Sequence, residues 1–576
     1  MTRQTALLPA TRKQPHNASN KSRSTIRSAM SEKLAPTDWQ HRLESQFETA
    51  PSLVAGCILL LGFLLRAWKA WGTFLNMDEA MHVLAANQPS LAEAYRASLS
   101  LAHPPLLILL LNAWHRLGTS ELWLRLPSVV AGTIFCWIFF RWLTGLLGPA
   151  AGWAGLLLVS FLPPFVELSA EVRQYPLLLC FLIAAAYTLE LALARNSGGM
   201  MVSFFVFLYL AMLTHFSAFL FAGAACAYSV WRLVGERSSG RVAAIWAAGQ
   251  AGALALLVFL YHTQISRLRG GIAERHMQVL LVRSYFHRGH DHVLAFIIAR
   301  TFGVLQYTFG ALAVGDLAGV FFLAGVVLLL RGKSEVGGVH GPSSRQLSLL
   351  IALPFAINGA AAIADLYPYG GTRHSAFLLP FAIAGVTLAM VKLSRQNLAP
   401  ALVAVLMTIA ICQLFGAPHR PYMRREDQHT SNMTDAIDAI RRKVHPGGTI
   451  LVDFQTSFLI RYYLCPDAIA SGFPASEWQT YSCGGYRVIS TNSEINIFSS
   501  ETFLPGWKEI VATYNLLPGQ DIWIFQAGWD IGLARELQKR FPEFHDLEPD
   551  SFGRNISLFK LKAGQVMPPR AAGPKP

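Results

Sequence analysis

Leu53–Glu79 reads LVAGCILLLGFLLRAWKAWGTFLNMDE. It opens with an apolar run, broken only by Arg66 and Lys69, of the length a helix needs to cross a bilayer, about 20 residues. The chain then emerges on an adjacent acidic pair, Asp78 and Glu79. Carboxylates are costly inside hydrocarbon and cheap at its surface. A pair at the exit of a spanning helix stays ionised there and faces both a lipid-borne reactant and a water-borne one. Catalysis at the membrane–water boundary is the first functional expectation.

The rest of the chain belongs to the same solvent. Of 576 residues, 53% are hydrophobic and 14% charged, against about 25% charged in ordinary soluble domains. Mean hydropathy is +0.37. The net charge of +14 does not indicate nucleic acid. Its cations lie in the N-terminal segment and in short connectors between apolar runs, as the positive-inside rule requires. Residues 1–50 read as a disordered basic cytoplasmic tail, without a cleavable signal peptide.

Candidate spans fall near 53–72, 122–141, 150–170, 176–194, 201–214, 216–233, 242–262, 309–330, 347–366, 375–392 and 398–416, about eleven in all. Pro104–Trp114 is apolar but too short to cross, and reads as an interfacial or re-entrant helix of the first external loop. With that choice, the connectors at Arg141, Arg195, Arg232/Arg237/Arg241, Arg331/Lys333/Arg345 and Lys392/Arg395 share the side of the basic tail. Counting Pro104–Trp114 as a span would flip all five outward, against the usual bias. The expected topology is N-terminus inside and C-terminus outside.

After residue 417 the texture changes. Thr449–Phe454, Arg487–Ser490, Asp521–Phe525 and Ile556–Leu561 read as strands, Thr434–Val444 and Ile531–Phe541 as helices. The expectation is a polytopic α-helical membrane domain over 51–416, a soluble α/β domain over 417–565, and a disordered tail over 566–576. Five cysteines lie in apolar runs. Cys465 and Cys483 lie in the polar part, as a disulfide if that part faces an oxidising compartment, otherwise as two thiols.

On this topology the polar residues gather on the external side: Asp78, Glu79, His82 and His103-Pro104-Pro105 in the first loop, Glu167 to Tyr175 in the second, Tyr367 to His374 before the tenth span. Arginine binds phosphate bidentately and neutralises the charge left by a departing sugar. A carboxylate takes the proton of an attacking hydroxyl. No nucleotide-binding glycine loop or P-loop is found, so a lipid-linked donor entering from the bilayer fits better than a nucleotide sugar.

The order of these pieces resembles a known family. An Asp-Glu pair follows the first span. His103-Pro104-Pro105-Leu106 then begins an apolar stretch ending at Gly118, and Arg125-Leu-Pro-Ser128 opens the second span. Ser169-x-Glu171-x-Arg173-x-Tyr175-x-Leu177 follows. Together they resemble the C-type (GT-C) membrane glycosyltransferases. The nearest branch is the protein O-mannosyltransferase-like one, which includes the aminoarabinose transferase of bacterial lipid A. The match covers about residues 50–235.

The resemblance implies a polyprenyl-phosphate-linked sugar donor, an external active site, and inversion at the anomeric carbon with a first-loop acid as base. By position, Asp78 is the base and Glu79 orients it or the acceptor. His103 lines the acceptor pocket, and Glu171, Arg173 and Tyr175 border the donor. Arg373, with His374, is placed as phosphate ligand by charge and side alone. The chain lacks the external insertion of the eukaryotic protein mannosyltransferases, and the acceptor is left as lipid, glycan or protein. The resemblance fixes no cofactor, and leaves a divalent cation open. The setting implied is a bacterial inner membrane with a periplasmic site.

Simpler readings stand beside these. Asp78 and Glu79 suit the N-terminus of a helix, where the dipole favours acids. Arg125 suits an interfacial anchor, and Glu171 with Arg173 a local ion pair. His287, His290, Asp291 and His292 have metal-ligand types without a second cluster, and read as a solvated loop. Asp316 stands in an apolar span with no evident partner. The rival functions are a lipid or glycan flippase, which would be expected to show inverted repeats, and a non-catalytic envelope assembly protein.

Overall fold

The computed structural model describes residues 51–235, 239–269, 280–332, 341–395, 397–416, 427–465, 478–491, 500–528, 532–541 and 544–563. The expected tails, 1–50 and 566–576, lie outside these. The chain divides into two units, Met1–Gly56 and Cys57–Pro576. Of the first, residues 51–56 are described and are the opening turns of helix α1 (Pro51–Ala70).

Three short helices fill the first loop: α2 (Met77–Ala86), α3 (Leu91–Ser98) and α4 (Leu106–Trp114). Then come α5 (Glu121–Leu147), α6 (Pro149–Phe161), α7 (Pro163–Ser169), α8 (Tyr175–Ala194), α9 (Gly198–Thr214), α10 (Ala218–Gly235) and α11 (Gly240–Leu260). The bundle closes with α12 (Val293–Phe309), α13 (Leu312–Arg331), α14 (Ser344–Ile363), α15 (Leu379–Leu393) and α16 (Leu398–Phe415). Among the described residues nine helices are long and apolar enough to span, ten if the bent pair α6–α7 counts as one. The sequence reading reaches about eleven by including α9, which is apolar but has 17 residues. Helix α4, with nine residues, is too short to cross. It is tied back onto the loop by Asn112, whose amide donates to the carbonyls of Ala86 and Gln88 at 2.8 Å each.

Helix α12 is a departure, since it falls between the candidate spans 242–262 and 309–330, where the sequence reading places no helix. Thr301 hydrogen-bonds Tyr369 Oη at 2.6 Å, and a Cβ on Gly371 would strike the Gly303 carbonyl. The middle of α12 therefore lies level with the loop before α15, at the same end of the bundle as the first loop.

The break between α6 and α7 explains Arg66. Pro163 and Pro164 have no N–H, so the carbonyls four residues earlier, on Val159 and Ser160, lose their helical donors. Arg66, fully buried in α1, donates to both, at 2.8 and 2.9 Å. A buried cation in a span is tolerable where it finds such partners. The helices meet at 57°, and the bend delivers the turn 170–174 to the first loop. Farther along, Gly325 and Gly385 let α13 and α15 touch backbone to backbone, a common use of small residues in membranes.

Beyond the bundle, α17 (Thr430–Lys443) leads into strands β1 (Thr449–Val452), β2 (Trp478–Cys483), β3 (Tyr486–Thr491), β4 (Asp521–Ala527), β5 (Asp550–Ser551) and β6 (Ile556–Lys562), a mixed sheet of order β2-β3-β1-β4-β6-β5. The central strand β1, wholly buried, pairs parallel with β3 and β4. Strand β2 runs antiparallel to β3, and β6 antiparallel to β4. Asp453 ends β1 by capping α18 (Phe454–Leu464), accepting the Thr456 N–H at 2.8 Å. A disulfide joins Cys465 to Cys483, with Cα atoms 5.2 Å apart.

This domain sits on the first loop. Tyr463 Oη accepts the Leu75 N–H at 2.8 Å and donates to Glu121 at 3.2 Å. Tyr462 donates to the Thr119 carbonyl at 2.9 Å. Phe74 N–H reaches the Gln428 carbonyl, and Thr430 N–H the Gly72 carbonyl, both at 2.9 Å.

Candidate active site

Asn76 begins α2 with a capping box: its side chain accepts the Glu79 N–H, and Glu79 reaches back to the Asn76 N–H. That geometry separates the two acids. Glu79 turns into the protein, 1% exposed. Its oxygens accept from Arg125 Nε and Nη2, both at 2.8 Å, from the backbone and amide of Asn76, and from the Val172 N–H. Arg125 also donates to the carbonyls of Ala70, Thr73 and Phe74 and to the Thr73 hydroxyl. Arg125 thus fastens the end of α1, the first-loop helix and the 170–174 turn to one point. Glu79 is thus bound up with Arg125, Asn76 and Val172, a place from which it would act by positioning the helix that carries Asp78.

Asp78 turns the other way and keeps 13% of its side-chain exposure. Two guanidiniums share its Oδ2: Arg373 at 2.8 Å, from the start of the 3₁₀ turn before α15, and Arg173 at 3.1 Å, from the turn after α7. Burial by itself would raise the Asp78 pKa, but Arg173, Arg373 and His82 together hold it well below the usual carboxylate range. Arg173 is buried and lies over the Tyr175 ring, while Arg373 is 36% exposed. The more open arginine is the one able to receive an incoming anion.

Four histidines from four elements line the adjacent wall. His103 lies between His82 and His215, with ring centroids 6.0 and 5.2 Å away, and His374 follows 6.4 Å from His215. Tyr175 meets the rings of His103 and His215. His103 is fixed through its carbonyl, which accepts from Gln264, as do those of Ser98 and Leu101. Burial first, and then Arg173, push His82 down to about 4 and His215 to about 3. His103 is pushed well below its ordinary value by burial, His215 and Arg173. The wall is therefore neutral imidazole at ordinary pH.

Of the sequence candidates, Asp78, His103, Arg173, Tyr175, Arg373 and His374 meet here. Glu171 lies beside them in the chain, with its carbonyl bonded to the Arg173 N–H at 2.8 Å. His215 and Gln264 escaped the sequence reading as site residues. A histidine in a three-residue turn between apolar helices, and a glutamine at the end of one, are the signals that point to them. Asp316 has a partner after all, accepting from Gln306 at 2.7 Å. Asp291 accepts the His287 N–H at 2.8 Å in an exposed loop. Among the described residues no three His, Cys, Asp or Glu are grouped closely enough to hold a metal ion.

The family model for dolichyl-phosphate-mannose-protein mannosyltransferase matches residues 102–263, a segment that holds His103, Arg173, Tyr175 and His215. In fold the chain is similar to the crystal structure of ArnT from Cupriavidus metallidurans bound to undecaprenyl phosphate. Identity is 9%, 90% of this chain and 99% of that one are covered, and the TM-score is 0.50. The apo form of the same protein aligns at 10% identity, with 90% and 100% covered and a TM-score of 0.49. The Archaeoglobus fulgidus oligosaccharyltransferase tethered to an acceptor peptide aligns at 10%, with 72% and 63% covered and a TM-score of 0.42. The likeness in fold rests on the first of these. No curated protein matches the chain in sequence.

Proposed function

We propose that this chain is a GT-C membrane glycosyltransferase, a reading supported by the family-model match over residues 102–263 and by the fold, and that it moves a sugar from a polyprenyl phosphate to an acceptor hydroxyl at the membrane surface. The observation that carries the reading is Asp78 shared between Arg173 and Arg373. The donor phosphate competes with Asp78 for the half-exposed Arg373. As the arginines turn to phosphate, their hold on the carboxylate relaxes and Asp78 becomes a serviceable base. It takes the acceptor proton while the hydroxyl oxygen bonds to the anomeric carbon from the face opposite the phosphate, and configuration inverts. The bond from that carbon to the phosphate oxygen breaks, and the polyprenyl phosphate leaves with its charge met by Arg173 and Arg373. ArnT was crystallised with undecaprenyl phosphate, which supports a carrier of that class.

The basic connectors support a cytoplasmic N-terminus with the site and α/β domain on the periplasmic side of a bacterial inner membrane. The acceptor is a lipid, glycan or protein presented there. Asp78→Asn in the purified full-length enzyme, assayed with polyprenyl-phosphate sugars at a temperature where circular dichroism shows it folded, should lower turnover by about a thousandfold or more; losing the counter-ion of Arg173 and Arg373 lowers the melting temperature as well. Near-normal turnover would remove Asp78 as the base.

A further inference from the structure

Buried polar side chains almost always find a partner in the protein or in ordered water, and among the exceptions here five atoms share an address. His82 Nε2, Arg173 Nε, both ends of the Gln174 amide and Tyr175 Oη have none. All four residues are at least 97% buried. Three are consecutive in the chain. His82 joins them through space, one ring away across His103, which touches both His82 and Tyr175. Arg173 ties the group to Asp78. The His82 Nδ1 faces the Asp78 carbonyl, so Nδ1 carries the proton and Nε2 presents a lone pair. The unmet inventory is then two N–H donors, two acceptors and one hydroxyl that does either.

That alternation suits a sugar ring, whose hydroxyls each donate and accept. The flanking imidazole and phenol faces suit its C–H edges. The charge of the wall narrows the class further. Its cations are Arg173 and Arg373, and the carboxylate beside them, Asp78, is held by both. An ammonium on the sugar would meet two guanidiniums at close range and no unpledged anion among those partners.

We propose that His82, Gln174 and Tyr175 form the pocket for the donor's sugar, and that this sugar is neutral and hydroxyl-bearing, without a free amine. The inference rests on the transferase reading and gives its donor a chemical class. A property of orphaned atoms makes it testable: since Tyr175 Oη and the Gln174 amide bond nothing in the protein, removing them should cost the fold nothing. Tyr175→Phe and Gln174→Leu, made in the full chain, should melt at or above the parent temperature. They should weaken binding of a neutral hexosyl or pentosyl polyprenyl phosphate at least tenfold, while bare undecaprenyl phosphate binds as before. An amino-sugar polyprenyl phosphate should be used at least a hundredfold less well than its neutral counterpart.

Preference for the amino sugar overturns the assignment of class, and unchanged sugar affinity in both variants overturns the pocket. Either result leaves the transferase reading standing if transfer is seen. If no sugar-bearing lipid binds more tightly than the bare phosphate and none is turned over, the transferase reading fails and takes this one with it. Should Tyr175→Phe melt early, the hydroxyl has a role in the fold, and the pocket is overturned unless Gln174→Leu alone shows the selective loss.

Discussion

Replacing Arg125, in α5, with methionine should be among the most damaging single changes to the anchoring of the first loop. The side chain is 2% exposed and donates six hydrogen bonds: two to Glu79, one to the Thr73 hydroxyl, and one each to the carbonyls of Ala70, Thr73 and Phe74. Methionine leaves Glu79 as an ionised carboxylate without its counter-ion, and breaking one side of a buried pair costs about 3–5 kcal/mol. That is a large share of the roughly 5–15 kcal/mol by which folded proteins are held, worth a drop in melting temperature on the order of 10 °C. Cys136, Cys180 and Cys412 are buried free thiols, so a thiol-reactive dye in detergent reports the melt directly. The double variant Arg125→Met/Glu79→Leu carries no stranded charge and should recover much of the loss. The reasoning is refuted if Arg125→Met melts with the parent protein, or if the double variant is as unstable as the two single effects summed.

Arg66→Met should strand the Ser160 carbonyl, at about 1–3 kcal/mol, leave the Val159 carbonyl to the weaker Cys136 thiol, and loosen the bend. A melt unchanged by this substitution would mean the proline break is satisfied some other way. His82 and His215 have folded pKa values near 4 and 3 against an ordinary 6.5. Below pH 6.5 the unfolded chain therefore binds protons that the folded one refuses, and stability should fall as pH drops from about 6.5 towards 4. Melts across that range should show a slope that His215→Asn makes shallower. A flat profile, or an equal slope in the variant, would contradict the assignment.

The site was partly written in the chain and partly not. Asp78, His103, Arg173 and Tyr175 stand out because charged groups and polar rings clustered beside apolar runs are rare, and rarity is readable. The roles of neighbours were less so. Asp78 and Glu79 look alike in sequence, and only the capping box, which turns residue three of the helix back on its start, sends Glu79 to Arg125 and Asp78 to Arg173 and Arg373. The pairing of Glu79 with Arg125 spans 46 residues, beyond any local pattern. Arg66 was legible in principle, since Pro163-Pro164 leave two carbonyls in need of a donor. Helix α12 was obscured by Arg300 in its middle, which made a continuous apolar run look like a loop. The seating of α18 on the first loop has no sequence signature, because tyrosine hydroxyls meeting backbone groups are set by shape.

That seating changes how the outer domain should be regarded. The strip of chain bearing Asp78 is pinned from the bilayer side by Arg125 and from the aqueous side by Tyr463, whose hydroxyl bridges Leu75 and Glu121. The sheet domain is thus fastened to the strip that carries Asp78, not hung loosely beside it. The fastening runs through α18, where one misplaced tyrosine ring would slacken that strip, and edge strand β2 shares in it through the Cys465–Cys483 bridge.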